Sequence, residues 1–294
     1  MPGKGGNWGR EMSGICFVIL HYNVLEDTEN CIESIRRLKG QNQIRIAVVD
    51  NASPNGSGKV LAERYARDEQ ICVLCRTEND GFSRGNNAGC RFAVERWNPD
   101  FVVVANNDVL FVQEDFALKV REIYEEEGFA VLGPDIYAPL AEVHQSPISD
   151  APPGRKTVRR TIFLNRMALM LFPFCYPLLK YYYGRLTVKA GTAYDSRRVN
   201  VCPMGACLIF SREYLKERDK VFEPETRFYY EENIMMRWCL AHQKKVLYDP
   251  LLQVHHMEGR ATGTVDVNER ETIRFRMKNI VEAAGVYLAM CQLH

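Results

Sequence analysis

Two adjacent carboxylates, Glu231 and Glu232, stand in the stretch "ETRFYYEENIMMRW", where an aromatic run gives way to a helical pattern. One acid of such a pair can take a proton from an attacking hydroxyl while the other supports it. Burial among Phe228, Tyr229 and Tyr230 would raise the pKa of either, and a helix N-terminus would lower it. The plain alternative is two capping acids at a solvated helix start. A second reactive group lies in "VVVANNDVLF", where Asp108 follows Asn106 and Asn107. A lone carboxylate there can bind Mg2+ or Mn2+ through one oxygen and leave positions for waters and substrate phosphates. His255 and His256, after the apolar "LLQV", could add an imidazole to that ion, or serve as buried structural histidines. Asp50 ends another apolar run; it could accept from the N–H of a uracil or thymine base, or cap the next turn.

Elements that would position these groups follow from hydrophobic pattern. "ICFVIL" (15–20), "IRIAVVD" (44–50), "ICVLC" (71–75) and "FVVVA" (101–105) are continuous apolar runs of the kind found in strands buried on both faces. Helical stripes lie between them: Cys31, Ile32, Ile35 and Leu38; then Val60, Leu61, Arg64 and Tyr65; then Ala88, Phe92 and Val94. Alternating strands and helices predict βαβ units and a mostly parallel, Rossmann-like central sheet flanked by helices. Ligands of such sheets bind beyond the carboxyl ends of the strands. Four consecutive ends are polar here: "HYN", "DNAS", "NDGFSRGNN" and "NND". Any one of these suits a turn, but their repetition points to a site. The glycines of "NDGFSRGNNAG" would let backbone approach a ligand that Asn86 and Asn87 orient. That run is neither a dinucleotide fingerprint nor a P-loop, so NAD-dependent and P-loop chemistries lose their best support.

Bulk composition narrows the partners. The 294 residues carry 38 basic and 37 acidic side chains, a net charge near +1, so no global field points to nucleic acid or to an acidic substrate. Ten scattered cysteines and a polar "MPGKGGNWGRE" start with no signal-peptide pattern predict reduced thiols in the cytoplasm. Cys72 and Cys75 form a CxxC within a strand, where they face opposite ways and lack a second pair to complete a zinc site.

Residues 1–13 are expected to be a flexible segment before a single domain over 14–294, with a loop and apolar insertion at about 147–198. Within it, "PISDAPPGRKTVRR" reads as a mobile basic loop. "MALMLFPFCYPLLKYYYG" is too short and too broken by Pro173 and Pro177 for a transmembrane helix. It suits either a segment lying in a membrane interface, at the inner face of the cell membrane, or an insertion folded onto the domain. "VNVCPMGACLIFSREYL" reads as a strand in which something approaches Gly205 closely, and a charged helix begins near Asn268.

Taken in order, "VVDNASPNGS", "NDGFSRGNNAG", "NNDV", "CPMGACLIFSRE" and "FYYEENIMMRW" resemble the family 2 glycosyltransferases of the GT-A fold, particularly bacterial rhamnosyltransferase-like enzymes of surface polysaccharide assembly. The resemblance spans about residues 14–280 and is specific for the superfamily, not for a sugar. It implies an inverting transfer from a UDP- or dTDP-sugar, rhamnose-like donors included, to a glycan or lipid-linked glycan, with Mn2+ or Mg2+ as cofactor. Asp50 and Asn51 match the position that reads the pyrimidine, and Asn79, Gly81, Phe82 and Asn87 the loop that closes over nucleoside and sugar. Asn106, Asn107 and Asp108 match the family's DxD element, with Asn106 where its first Asp stands and Asp108 as the metal contact. His255 matches a histidine near the metal or phosphates, and Met204, Gly205 and Ala206 line the acceptor side. Glu232 matches the general base, leaving Glu231 as its support and in place to pair with an arginine beneath the helix; Ile234 stands where a further Asp is common. Two other readings stay open, a sugar-nucleotide nucleotidyltransferase and a nucleotide-sugar-binding protein without turnover.

Overall fold

A computed structural model describes residues 14–183, 189–258 and 269–293; the segment expected to be flexible at 1–13 lies outside them. The first half alternates as the apolar pattern predicts. Strands β1 (Ile15–His21), β2 (Ile44–Asp50), β3 (Ile71–Cys75) and β4 (Phe101–Asn106) are separated by α1 (Leu25–Arg36), α2 (Ser57–Arg64) and α3 (Phe82–Trp97). β3, β2, β1 and β4 lie side by side and parallel. Then come β5 (Val109–Phe111), α4 (Phe116–Glu127), β6 (Val131–Ala138), β7 (Val143–His144), α5 (Arg155–Met170) and α6 (Phe172–Tyr183). β8 (Arg198–Val199), β9 (Cys207–Ser211), α7 (Arg212–Glu217), α8 (Glu231–Ala241), β10 (Val246–His256) and α9 (Glu269–Leu293) complete the order.

The sheet runs β3-β2-β1-β4-β9-β6-β10-β5. Its second half is mixed: β9 is antiparallel to both β4 and β6, whereas β6 and β10 are parallel. Side chains alternate across the strands, so Phe17 and Ile19 enter one core layer and Cys16 and Val18 the other. The first layer is covered by Ile32 and Ile35 of α1 and Val120 and Ile123 of α4. The second is covered by Cys90 and Ala93 of α3 and Met235, Met236 and Cys239 of α8. Each Val, Ile, Phe or Met among them fully removed from water contributes roughly 1.5–3 kcal/mol, which is why both faces of the central strands read as unbroken apolar runs.

Two segments depart from the sequence expectation. The helix α3 starts at Phe82, inside the stretch expected to be a ligand-facing glycine loop. A Cβ on Gly85 would stand 2.5 Å from a Leu20 methyl, and one on Gly89 would stand 2.4 Å from Val18. Those glycines therefore serve close helix–sheet packing, not a ligand. The supposed basic loop is half helix, because α5 begins at Arg155 directly after Gly154.

Candidate active site

The two acids begin α8, and the turn before them is strained. Tyr229 and Tyr230 have φ of 73° and 68°, the left-handed region that non-glycine residues rarely occupy. Each such residue costs on the order of 1–3 kcal/mol, a cost that tertiary contacts must offset. The contacts come from α9: Tyr230 packs on Tyr287 with ring centres 5.5 Å apart, and Phe228 on Phe275 at 5.6 Å. On the other side the segment is tied to the start of α3. Arg227 O accepts the Phe82 N–H at 2.7 Å, and the Ser83 hydroxyl accepts the Thr226 N–H at 3.2 Å. Gly81 has φ +86°, and a Cβ there would stand 2.3 Å from Arg227 O, so this glycine is required for the clamp.

This path delivers Glu231 and Glu232 to a cavity of about 510 Å3 lined also by Phe82, Asn106, Met204, Gly205, Ala206 and Tyr230. The Gly205 N–H donates to Glu232 Oε1 at 3.0 Å. A Cβ on Gly205 would stand 2.5 Å from that oxygen, so the close approach expected at this glycine is made by the carboxylate of Glu232. The Asn106 N–H donates to Ala206 O at 2.9 Å, which staples the end of β4 to the same segment.

Glu231 is only 5% exposed, and its Oε1 has no hydrogen-bond partner. The Thr226 hydroxyl stands against its carboxyl, where the sequence led us to expect an arginine. Burial, and then the neighbouring Glu232 charge, push the Glu231 pKa up to about 8. Burial also raises Glu232, opposed by the backbone N–H groups of its own residue and of Gly205. Two acids in one desolvated pocket ionise in sequence, and the charge of Glu232 raises Glu231. That order favours Glu232 as the first of the pair to ionise.

The ends of the parallel strands are knit together by their own side chains. Asp50 is buried and accepts the Ser53 N–H and hydroxyl on Oδ1. Asn51 donates to Asn79 Oδ1 at 3.0 Å and to Gly81 O at 3.1 Å. Beneath them His21, buried, lies 2.6 Å from the Thr28 hydroxyl and 2.8 Å from that of Ser57, and burial lowers its pKa. Asn107 lies behind the crevice, donating to Thr28 Oγ1 at 3.1 Å. Asn87 is not brought to the cavity: its amide donates to Phe222 O and accepts from Phe222 N–H, at 2.9 and 3.0 Å. It is a strut between α3 and the segment leading to the acids.

The imidazole that meets Asp108 is that of His256, not of the expected His255. Antiparallel pairing of β5 with β10 sets His256 opposite Val109, and His256 Nε2 lies 3.3 Å from Asp108 Oδ1. His256 Nδ1 lies 2.8 Å from Gln145 Oε1, which fixes the ring. His255, one residue away, faces the other side of the sheet, against the Tyr137 ring at 5.6 Å, and burial lowers its pKa. Asp108 and His256 offer one hard oxygen and one imidazole nitrogen, a donor set that suits Mn2+ or Mg2+ when waters and phosphate oxygens complete the shell. Among the described residues no group of three or more His, Cys, Asp or Glu could hold a metal, so an ion here would depend on its substrate for ligands. All ten cysteines are free thiols, most of them buried.

Comparison with known proteins gives this arrangement its class. The fold matches the crystal structure of S. aureus TarS 1-349 with a TM-score of 0.53 at 12% identity, covering 93% of this chain and 71% of that one. It matches the same protein in complex with UDP with a TM-score of 0.55 at 10% identity, over 90% and 70%. This is the GT-A fold. The family model for glycosyl transferase family 2 matches residues 16–184, and the chain belongs to that family. Among curated proteins it is 25% identical over 156 residues to the low-salt glycan biosynthesis hexosyltransferase Agl10 of Haloferax volcanii, covering 52% of this chain and 45% of that one. It is 34% identical over 79 residues to the undecaprenyl-phosphate mannosyltransferase of Micrococcus luteus, covering 27% and 32%. The chain thus spans less than half the length of the curated relatives it matches.

Several contributors had no sequence signal of their own. Thr226 meets Glu231 across the turn before the helix, Gln145 reaches His256 only through tertiary contact, and Pro153 and Ile280 complete the cavity wall from distant parts of the chain. His256 carried a signal in the His255-His256 pair, but the resemblance favoured its neighbour.

Proposed function

We propose that this chain is an inverting glycosyltransferase that moves a sugar from a UDP- or dTDP-sugar to a hydroxyl of a glycan or lipid-linked glycan. One observation carries the reading: a single cavity joins Asn106, at the end of a parallel strand, to a Glu232 carboxylate held by the Gly205 N–H. The acceptor hydroxyl enters beside Glu232, whose carboxylate takes its proton. The hydroxyl oxygen attacks the anomeric carbon from the side opposite the diphosphate, the bond from that carbon to the diphosphate breaks, and a nucleoside diphosphate leaves. No covalent sugar–enzyme intermediate is needed. Glu231, kept protonated by burial, adds no second negative charge that would repel the diphosphate.

Asp50 and Asn51 bind the pyrimidine side, with the Asn79–Phe82 turn closing over it. Asp108 and His256 would hold Mn2+ or Mg2+, which supplies positive charge against the diphosphate. The names of the relatives, a hexosyltransferase of glycan synthesis and an undecaprenyl-phosphate mannosyltransferase, support the hexosyl and lipid-linked classes. The resemblance to rhamnosyltransferases puts a rhamnose-like donor among the candidates.

Incubation of the protein with UDP-sugars and dTDP-rhamnose, with Mn2+ and then with EDTA, tests the reading. Nucleotide release that stops with chelator supports it. Donor binding without consumption points to a protein without turnover, and pyrophosphate release from a nucleoside triphosphate and a sugar phosphate points to a nucleotidyltransferase.

A further inference from the structure

α5 and α6 are folded onto the domain by one side only. Val158 is buried with Ile234, Ala284 and Tyr287, and Phe172 is buried with Ile273 and Met277 of α9. Arg270 and Arg274 of α9 stand over the rings of Tyr176 and Phe172, and Lys180 pairs with Glu269 at 2.6 Å. The opposite side carries large apolar groups into solvent: Phe163 is 62% exposed, Leu178 69% and Phe174 86%, with Met170 and Leu171 also exposed. At 100° per residue Lys156, Arg159, Arg160, Phe163, Met167 and Met170 share one face of α5, opposite Val158. That face is basic in its first half and apolar in its second.

The charge on it is one-sided. From Ala151 to Tyr194 the sequence has no Asp or Glu, although the whole chain is nearly neutral. Arg155, Lys156, Arg159 and Arg160 also crowd the N-terminal end of α5, where the helix dipole disfavours cations. Folding stability does not account for their place, whereas an external anionic surface would. Among the described residues no helix is long and apolar enough to cross a membrane. Helices that lie in a headgroup region combine apolar side chains that dip below it with cations at phosphate level, and α5 and α6 expose both kinds of group.

We propose that α5 and α6 form a docking surface for an anionic phospholipid leaflet. The surface adjoins the cavity: Pro153 lines the cavity two residues before α5 begins, and Tyr287 OH donates to Pro153 O at 2.8 Å. On the proposed glycosyltransferase reading, docking would bring the acceptor opening to a lipid-linked glycan; the docking itself does not depend on that reading.

Co-sedimentation of the full chain with phosphatidylcholine vesicles, with and without phosphatidylglycerol, tests it. Binding is expected only with phosphatidylglycerol and should fall as salt is raised. The double variants Phe163→Ser with Phe174→Ser, and Arg159→Glu with Arg160→Glu, should each weaken binding ~10-fold or more. Both alter exposed side chains, so far-UV circular dichroism and the melting temperature should match the parent. No sedimentation with anionic vesicles at low salt overturns the proposal. So does vesicle binding that neither variant weakens, or a dimer in analytical ultracentrifugation that the Phe163→Ser, Phe174→Ser variant dissociates while the parent ignores lipid. Nucleotide release from a UDP-sugar, measured without vesicles, reads the function separately: vesicle binding without turnover would sink only the glycosyltransferase reading.

Discussion

The two halves of the crevice, donor and acceptor sides on the proposed reading, are built on opposite plans. On the donor side the polar side chains satisfy one another: Asp50 with Ser53, Asn51 with Asn79 and Gly81, His21 with Thr28 and Ser57, Asn107 with Thr28. One exception is Asn51 Oδ1, which is buried without a partner and is a candidate acceptor for a ligand N–H. On the acceptor side two tyrosines in left-handed conformation lead into a buried acid with an unpaired oxygen. The first half is set by short-range hydrogen bonds and should tolerate the absence of ligand; the second stores strain and desolvation that a substrate can relieve. The two halves should therefore respond to mutation in different observables.

The largest contrast is expected at the base. Glu232→Gln should lower kcat ~10²–10⁴-fold, the usual worth of a positioned general base, while donor affinity by calorimetry stays near the parent value. Normal turnover in Glu232→Gln together with its loss in Glu231→Gln would reverse the assignment of the pair. Gly205→Ala comes next, because the new methyl must displace the Glu232 carboxylate. It should cost ~10²-fold in kcat through misplacement alone, again with donor binding kept; an unchanged kcat would show that the Gly205 contact does not position the base.

On the donor side the effect should appear in metal and nucleotide affinity. His256→Ala should raise the Mn2+ concentration needed for half-maximal turnover by ~10-fold or more, and His255→Ala should leave it unchanged. The opposite order would return the metal role to His255. Asp108→Asn should act in the same direction as His256→Ala and more strongly.

The smallest effects are pH-dependent. Glu232 must be ionised to act, and burial raises its pKa, so the acid limb of the kcat profile should lie above the ordinary glutamate range. Glu231 has a folded pKa near 8 against an ordinary 4.5, so the native state holds a proton that the unfolded chain has lost. Its contribution to stability is present below about 4.5 and is lost as pH rises toward about 8. The melting temperature of the parent should fall across that window relative to Glu231→Gln, and parallel curves for the two proteins would mean that Glu231 is already ionised in the folded state.

How much of this was legible in sequence differs between particular elements. The strands β1, β2 and β4 were readable because burial on both faces leaves unbroken apolar runs, whereas β3, at the sheet edge, is apolar but only partly buried. Asn106, Glu231 and Glu232 were named from residue type and position, Phe82, Met204, Gly205 and Ala206 from the resemblance, and the structure brings all seven to one cavity. Asn87 was not separable from them, since a side chain that ties two backbones together and one that orients a ligand have the same amide. The glycines of α3 misled for a similar reason: a missing Cβ admits a neighbouring strand as readily as a ligand. The resemblance pointed to His255 and the structure sets His256 at Asp108, because the choice depends on strand register, and a shift of one residue exchanges the two faces.

What the sequence by itself determined is the parallel half of the sheet, the polar strand ends and the adjacency of two acids at a helix start, because these depend on local periodicity and residue type. What only the tertiary structure decided is which oxygen has a partner, which imidazole meets Asp108 and which side of α5 and α6 remains uncovered. Those depend on elements distant in sequence: Gly205 reaching Glu232, β5 pairing with β10, and α9 packing on one side of α5 and α6. Desolvation of a charge and pairing of a polar atom are properties of the assembled surroundings, so no local pattern can encode them.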